Sequence, residues 1–325
     1  MTAADEGSLC AMRWNAKVVM VAMLVVALAV VLVGCGGGND QVVYQNVIDR
    51  TSYNPAGNRL TFTSLGGNGL EYIYSVNTSG GGLVLLTQTT TTENDDEGGK
   101  QPAWSPDGTD IAMVARRGGG SQSLYLIDSS QGNRLRETRI TDNTVTGSDL
   151  QPSWAPNSSK LVYVSNKGGG GHYTIWTVDR DGTDAAELYD PGTDAQWPVY
   201  SPDGTKIAFQ LGIGRSGANT DIAILDLASM TTTNITESSS FREEAPNWSP
   251  DSTKIAFHSN RRGDFDIWTM NVDGTSPVSL TADSRSDGYP VWNAAGTRIA
   301  FTRNRELWTM LADGSDQDQV TRTYQ

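Results

Sequence analysis

The side chains able to do chemistry are few and scattered. Only two histidines occur, His172 and His258. A serine hydrolase needs Ser, His and an acid held together, and no Gly-x-Ser-x-Gly elbow is present. His258 stands where Thr63, Gln210 and Thr302 stand in the chain's other repeats, which suits a strand end better than a catalytic base. Asn94-Asp95-Asp96-Glu97 offers oxygens of the kind calcium takes, but lacks the Asp-x-Asp-x-Asp-Gly spacing with a distal Glu. It reads as a solvated loop, and no cofactor is expected. Arg262-Gly263-Asp264 spells an adhesion tripeptide and fits an ordinary polar loop equally well. The most varied set precedes a recurring proline or its equivalent: Arg50, Gln101, Gln151, Trp197, Ala245 and Tyr289, with Asp49, Lys100, Leu150, Gln196, Glu244 and Gly288 one position earlier. Amides, aromatics and charges of both signs at equivalent points suit a peptide or glycan end. Arg50, Gln101, Gln151, Trp197, Glu244 and Tyr289 are the candidate binding residues. With no catalytic constellation in sight, a binding protein is expected and not an enzyme.

Those positions are set by a repeat. Pro246 to Gly274 reads PNWSPDSTKIAFHSNRRGDFDIWTMNVDG. Trp248 ends a short strand, and Ser249-Pro250-Asp251-Ser252 is turn chemistry. Lys254 to His258 is a β-type run, Asn260 to Asp264 a polar loop, and Asp266 to Asn271 alternates as a strand does. Asp273-Gly274 signals a hairpin. Copies begin at Thr51, Pro102, Pro152, Pro198, Pro246 and Pro290, so the steps are 51, 50, 46, 48 and 44 residues. A fourth strand ends in Leu-Thr or similar in five copies and in Leu188-Tyr189 in the third. Six copies of four strands predict an all-β, six-bladed propeller of antiparallel blades over residues 42–325, because one blade cannot bury both faces alone. Trp104, Trp154, Trp248 and Trp292 end first strands, and Trp176, Trp268 and Trp308 share a third-strand position. These seven read as packing between blades; Trp197 falls outside both classes.

The unit PxWSPDGxxIAF…DIWxMxxDG…LT resembles the repeat of the TolB-type six-bladed propellers, the periplasmic Tol–Pal component and its relatives. The resemblance covers roughly Thr51 to Thr321 and is specific for fold, weak for function. It implies a rigid scaffold for a protein or peptide partner. TolB proper carries an α/β domain before its propeller, whereas about 15 residues separate Cys35 from the first blade here, so no Tol–Pal role is assigned. Peptidases among propeller relatives carry a separate hydrolase domain, and propeller lyases need clustered His and carboxylate ligands. Neither is recognisable in the sequence. A carbohydrate-binding or carbohydrate-processing propeller is the alternative.

Residues 1–34 resemble a bacterial lipoprotein signal peptide: Arg13 and Lys17 precede the apolar run Val18 to Val33, and Leu32-Val33-Gly34-Cys35 resembles a lipobox. Cys35 is then the lipidated residue, and 35–41 form a flexible tether. The only other cysteine, Cys10, precedes the run, so no disulfide is expected in the mature chain. The formal charge is −13 and lies wholly in the mature part, which argues against nucleic acid and anionic membrane surfaces as partners. The expected setting is extracytoplasmic, with a cell-envelope protein or peptide as partner and the membrane reached through the N-terminal lipid. Loops between second and third strands vary most, so binding is expected on their face.

Overall fold

Blade five displays the unit. Glu243–Trp248 runs to the Ser249–Ser252 turn, Lys254–Arg262 returns, Asp264–Asn271 follows, and Val278–Ser279 forms the outer edge. Neighbouring strands pair antiparallel. Asp251 builds the first turn. Its Oδ1 accepts from the Ser249 hydroxyl at 2.5 Å, the Thr253 N–H at 3.1 Å and the Thr253 hydroxyl at 2.8 Å. Asp107 and Asp203 repeat this arrangement. The recurring aspartates of these turns are therefore structural, as their position in the repeat indicated.

The computed structural model describes residues 47, 49–66, 70–87, 98–117, 120–129, 137–142, 147–213, 219–237 and 240–321, all within the unit Val33–Gln325. The proposed signal and Cys35, and the acidic run Asn94 to Glu97, lie outside the described residues. Among the described residues, six sheets of four consecutive strands form, with no strand exchanged between sheets. The innermost strands are Ser52–Tyr53, Lys100–Trp104, Asp149–Trp154, Ala195–Tyr200, Glu243–Trp248 and Asp287–Trp292.

The core is not one cluster but six, one at each junction between neighbouring blades. The seven tryptophans expected to pack between blades all lie in or against these clusters. Two also tie blades by hydrogen bonds, Trp154 Nε1 donating to Ala103 O at 3.0 Å and Trp248 Nε1 to Val199 O at 3.2 Å. The junction between first and last blades closes the ring. Val47, Leu60, Phe62 and Val76 pack there with Ala300, Leu307 and Val320, and the Val47 N–H donates to Arg305 O at 2.8 Å.

Two details differ from the sequence expectation. The polar loop expected at Asn260 to Asp264 is mostly strand, since Arg262 pairs with Asp264 in the ladder and the hairpin turns around Gly263. The fourth strands stop short of the Leu-Thr pair. Instead the threonine hydroxyl caps the third strand: Thr87, Thr141, Thr236, Thr281 and Thr321 Oγ1 accept the N–H of Ile73, Leu124, Ile222, Ile267 and Leu307 at 2.9–3.1 Å. Only the third blade, with Tyr189 in that place, continues its fourth-strand ladder to Ile175.

Candidate functional site: an axial cavity and its septum

The first strands of blades two to six enter their sheets through an irregularity. Register shifts fall between Lys100 and Ala103, Gln196 and Val199, Glu244 and Asn247, and Gly288 and Val291, and at the matching point opposite Val162 and Val164 in blade three. The cause is a residue in the left-handed region: φ is 55° at Gln101, 58° at Gln151, 52° at Trp197, 49° at Ala245 and 53° at Tyr289. Such a conformation costs roughly 1–2 kcal/mol for a residue with a Cβ, and each extra residue forms a β-bulge that turns its N–H out of its own ladder.

Those N–H groups are satisfied from the preceding blade. Gln101 N–H donates to Thr63 Oγ1 at 3.0 Å, Ala245 N–H to Gln210 Oε1 at 3.4 Å and Tyr289 N–H to His258 Nδ1 at 3.2 Å. Thr63, Gln210 and His258 hold equivalent positions within their second strands, which run on past them to Leu65, Ile213 and Arg262. Blades two and three have Val114 and Val164 there. In those blades the bulge residue itself reaches onward, Gln101 Oε1 accepting from Gln151 N–H at 2.8 Å and Gln151 Oε1 from Trp197 N–H at 2.7 Å. Gln101 and Gln151 therefore link blades, with their carbonyl oxygens already occupied.

The other candidate residues meet across the axis. Trp197 of blade four packs edge-on to Tyr289 of blade six, with centroids 5.3 Å apart. Arg50 of blade one lies over the Trp197 ring at 5.2 Å, and its Nη2 donates to Pro246 O of blade five at 2.8 Å. His258 stands 5.2 Å from Tyr289 and 5.1 Å from Phe265. Because its Nδ1 accepts from Tyr289, its proton belongs on Nε2, which donates to Glu244 Oε2 at 3.2 Å. Burial pushes the Glu244 carboxyl up, but the His258 hydrogen bond and the charge and hydrogen bond of Arg242 outweigh it and leave it lowered. Burial raises the Tyr289 phenol to about 12. These side chains form a septum across the channel. The sequence set His258 aside; the signal for its role was that Thr63, Gln210, His258 and Thr302 all carry hydrogen-bonding side chains at one repeat position.

On one side of the septum lies a cavity of about 360 Å³ built from the first strands of all six blades. Arg50 lies at its inner end. Pro102, Trp104, Pro152, Trp154, Val199, Trp248, Val291 and Trp292 are among its walls. Its rim includes Pro106, Pro156 and Pro202, which are exposed, and Pro250. The rim belongs to the repetitive turn face and not to the varied loop face. Among the described residues, no group of three or more His, Cys, Asp or Glu side chains could hold a metal ion. His172 sits apart on a varied loop, its Nε2 on Asp190 Oδ1 at 2.8 Å.

The family model for the TolB β-propeller domain matches residues 30–196 and 191–325. The chain belongs to the TolB β-propeller family. An uncharacterized protein of Agrobacterium fabrum is 31% identical over 105 residues, 32% of this chain and 34% of that one. The matched segments thus span about a third or less of the curated relatives' lengths. Among solved structures, TolB from Acinetobacter baumannii superposes with a TM-score of 0.61 at 21% identity, covering 76% of this chain and 57% of that one. An oligogalacturonate lyase in complex with manganese gives 0.60 at 15% identity, with 86% and 78% covered. At such identities the likeness is one of fold. Enzymes and TolB share this TolB-like architecture, so the propeller alone does not decide between catalysis and binding.

Proposed function

We propose that this chain is an exported protein-binding scaffold of the cell envelope, anchored by lipid at Cys35, which receives a peptide segment in the axial cavity. The supporting observation is the cavity itself: lined by all six blades, with proline or tryptophan from five of them, and ending at a septum whose polar groups are largely committed to one another. Its volume falls within the ~300–1,000 Å³ range of ligand sites. Family membership supports the scaffold reading. The anchor would also orient the site. Val47 is bonded to Arg305, in the turn between the second and third strands of blade six. The chain from Cys35 to Val47 reaches at most about 40 Å when extended. The varied loop face is then the one held near the membrane, and the cavity opens away from it.

Site-specific photocrosslinking in cells tests the reading. A benzophenone side chain at Ser153, on the cavity wall, should give a discrete protein adduct. One at Thr233, on the exposed outer strand of blade four, should not. A glycan adduct at Ser153 would favour the carbohydrate alternative, and no adduct would remove the cavity from the account. For the anchor, Cys35→Ser should leave unprocessed precursor or release the protein from the membrane; normal processing to a membrane-bound form would refute lipidation.

A further inference from the structure

Among the described residues, several buried or half-buried bases are paired with an acid. Arg303 is 1% exposed and makes two 2.7 Å hydrogen bonds to Asp287. Arg261 pairs with Glu243 and Arg117 with Glu137, while Lys167 reaches Asp149 at 2.6 Å. Arg50 breaks the pattern. It is 8% exposed, and among the described residues no carboxylate lies within ion-pairing distance of it. Its Nε has no hydrogen-bond partner. What holds it is one carbonyl, Pro246 O, and the face of Trp197. Burial lowers the guanidinium to about 10, although the nearby Tyr289 and Asp49 oppose the shift; that is the cost of keeping a cation with no direct ion pair out of water. The same side chain lines the inner end of the axial cavity.

We infer that Arg50 is the receptor for a carboxylate, and that the cavity takes the free C-terminus of a peptide whose last residues are apolar and whose preceding residues are basic. This rests on the reading of the cavity as a peptide site and names the ligand's chemistry. A guanidinium matches a carboxylate through paired N–H donors. The proline and tryptophan walls suit apolar side chains behind that carboxylate. A cavity closed by a septum admits a chain end more readily than a loop. The rim prolines Pro106, Pro202 and Pro250 are followed by Asp107, Asp203 and Asp251. Their turn hydrogen bonds, above all those from Ser105, Ser201 and Ser249, hold these carboxyls below the usual range. Basic residues emerging from the mouth would meet charges of opposite sign.

The test uses the lipid-free mature chain and fluorescein-labelled octapeptides with three leading lysines and Leu, Val, Phe or Pro in the last three positions. Each is made as the free acid and as the C-terminal amide. Amidation should weaken binding at least tenfold. Arg50→Gln should bring the acid down to the level of the amide and should not lower Tm, because it removes an unpaired buried charge. Equal binding of acid and amide by the wild-type chain overturns the inference but leaves the peptide site standing. Full binding by an amide that ends in Glu reassigns Arg50 to side-chain carboxylates and also overturns it. N-acetyl-phenylalanine and its amide, followed by tryptophan fluorescence, separate the two claims. If the small acid binds in an Arg50-dependent way and no octapeptide does, the peptide site falls and the carboxylate receptor stands. Binding of neither probe overturns both.

Discussion

Asp49 and Glu244 stand at equivalent positions of the repeat, and their carboxyls shift in opposite directions. Burial is the main cause that raises Asp49 to about 7, with Glu71 adding to it and the Thr63 hydroxyl, Lys100 and the Gln101 N–H opposing. Glu244 is buried too, yet His258 and Arg242 leave it lowered. The linkage signs follow. From the unfolded value of 3.8 up to about 7, the folded chain holds the Asp49 proton more tightly than the unfolded chain, so this site loses stability as pH rises. Glu244 contributes stability that is present above 4.5 and lost as pH falls through its lowered folded value. Asp49→Asn should therefore match wild type near pH 4 and be more stable at pH 8, by on the order of 2–4 kcal/mol at one pKa unit per 1.36 kcal/mol. Urea unfolding at the two pH values measures it. An equal difference at both would mean that Asp49 does not carry its proton into neutral solution.

At the scale of elements, the threonine cap explains why fourth strands can be as short as Val278–Ser279. Thr281 Oγ1 accepts the buried Ile267 N–H at 2.9 Å and faces Asp266 at 3.2 Å. Thr281→Val keeps the shape and removes the acceptor, so it should cost about 1–3 kcal/mol, the penalty of an unsatisfied buried donor. Thr281→Ser should recover most of that, and a Val variant as stable as wild type would refute the cap. Much of this was legible in the sequence. A pair of an aliphatic residue and Thr recurs five times, the Trp positions recur in register, and a period near 48 residues fixes a four-stranded unit. The bulges were not legible. Left-handed backbone is ordinarily signalled by glycine, and here Gln101, Gln151, Trp197, Ala245 and Tyr289 adopt it. A compensating trace was nevertheless present: glutamine occupies the bulge in the two blades that carry Val114 or Val164 at that second-strand position. The candidate site was half legible for a related reason. Breaks in the repeat identified the side chains at the axis, but whether those side chains leave an opening or fill it depends on reach across the channel. Arg50 meeting Pro246, and Trp197 meeting Tyr289, are contacts between blades far apart in sequence.

For the whole molecule, the consequence of six consecutive sheets is a ring closed without a shared strand. Five junctions join blades that are also consecutive in the chain, so opening one of them still leaves the two blades tethered. The sixth joins the first blade to the last. Side-chain packing and the Val47 hydrogen bond hold it. Leu161, at the junction of blades two and three, and Leu307, at the closing junction, are both 0% exposed. Truncating either to alanine should cost roughly 2–5 kcal/mol. Their effects on local opening should differ. A cavity at the closing junction weakens the one contact that keeps the chain's two ends together, and partial opening there exposes both terminal blades at once. Hydrogen exchange in Leu307→Ala should accelerate in blades one and six together, well before blades three and four respond. Leu161→Ala should show no such pairing of the first and last blades. Uniform acceleration round the ring in both variants would show that the propeller opens as one cooperative unit, with its closing junction no weaker than the other five.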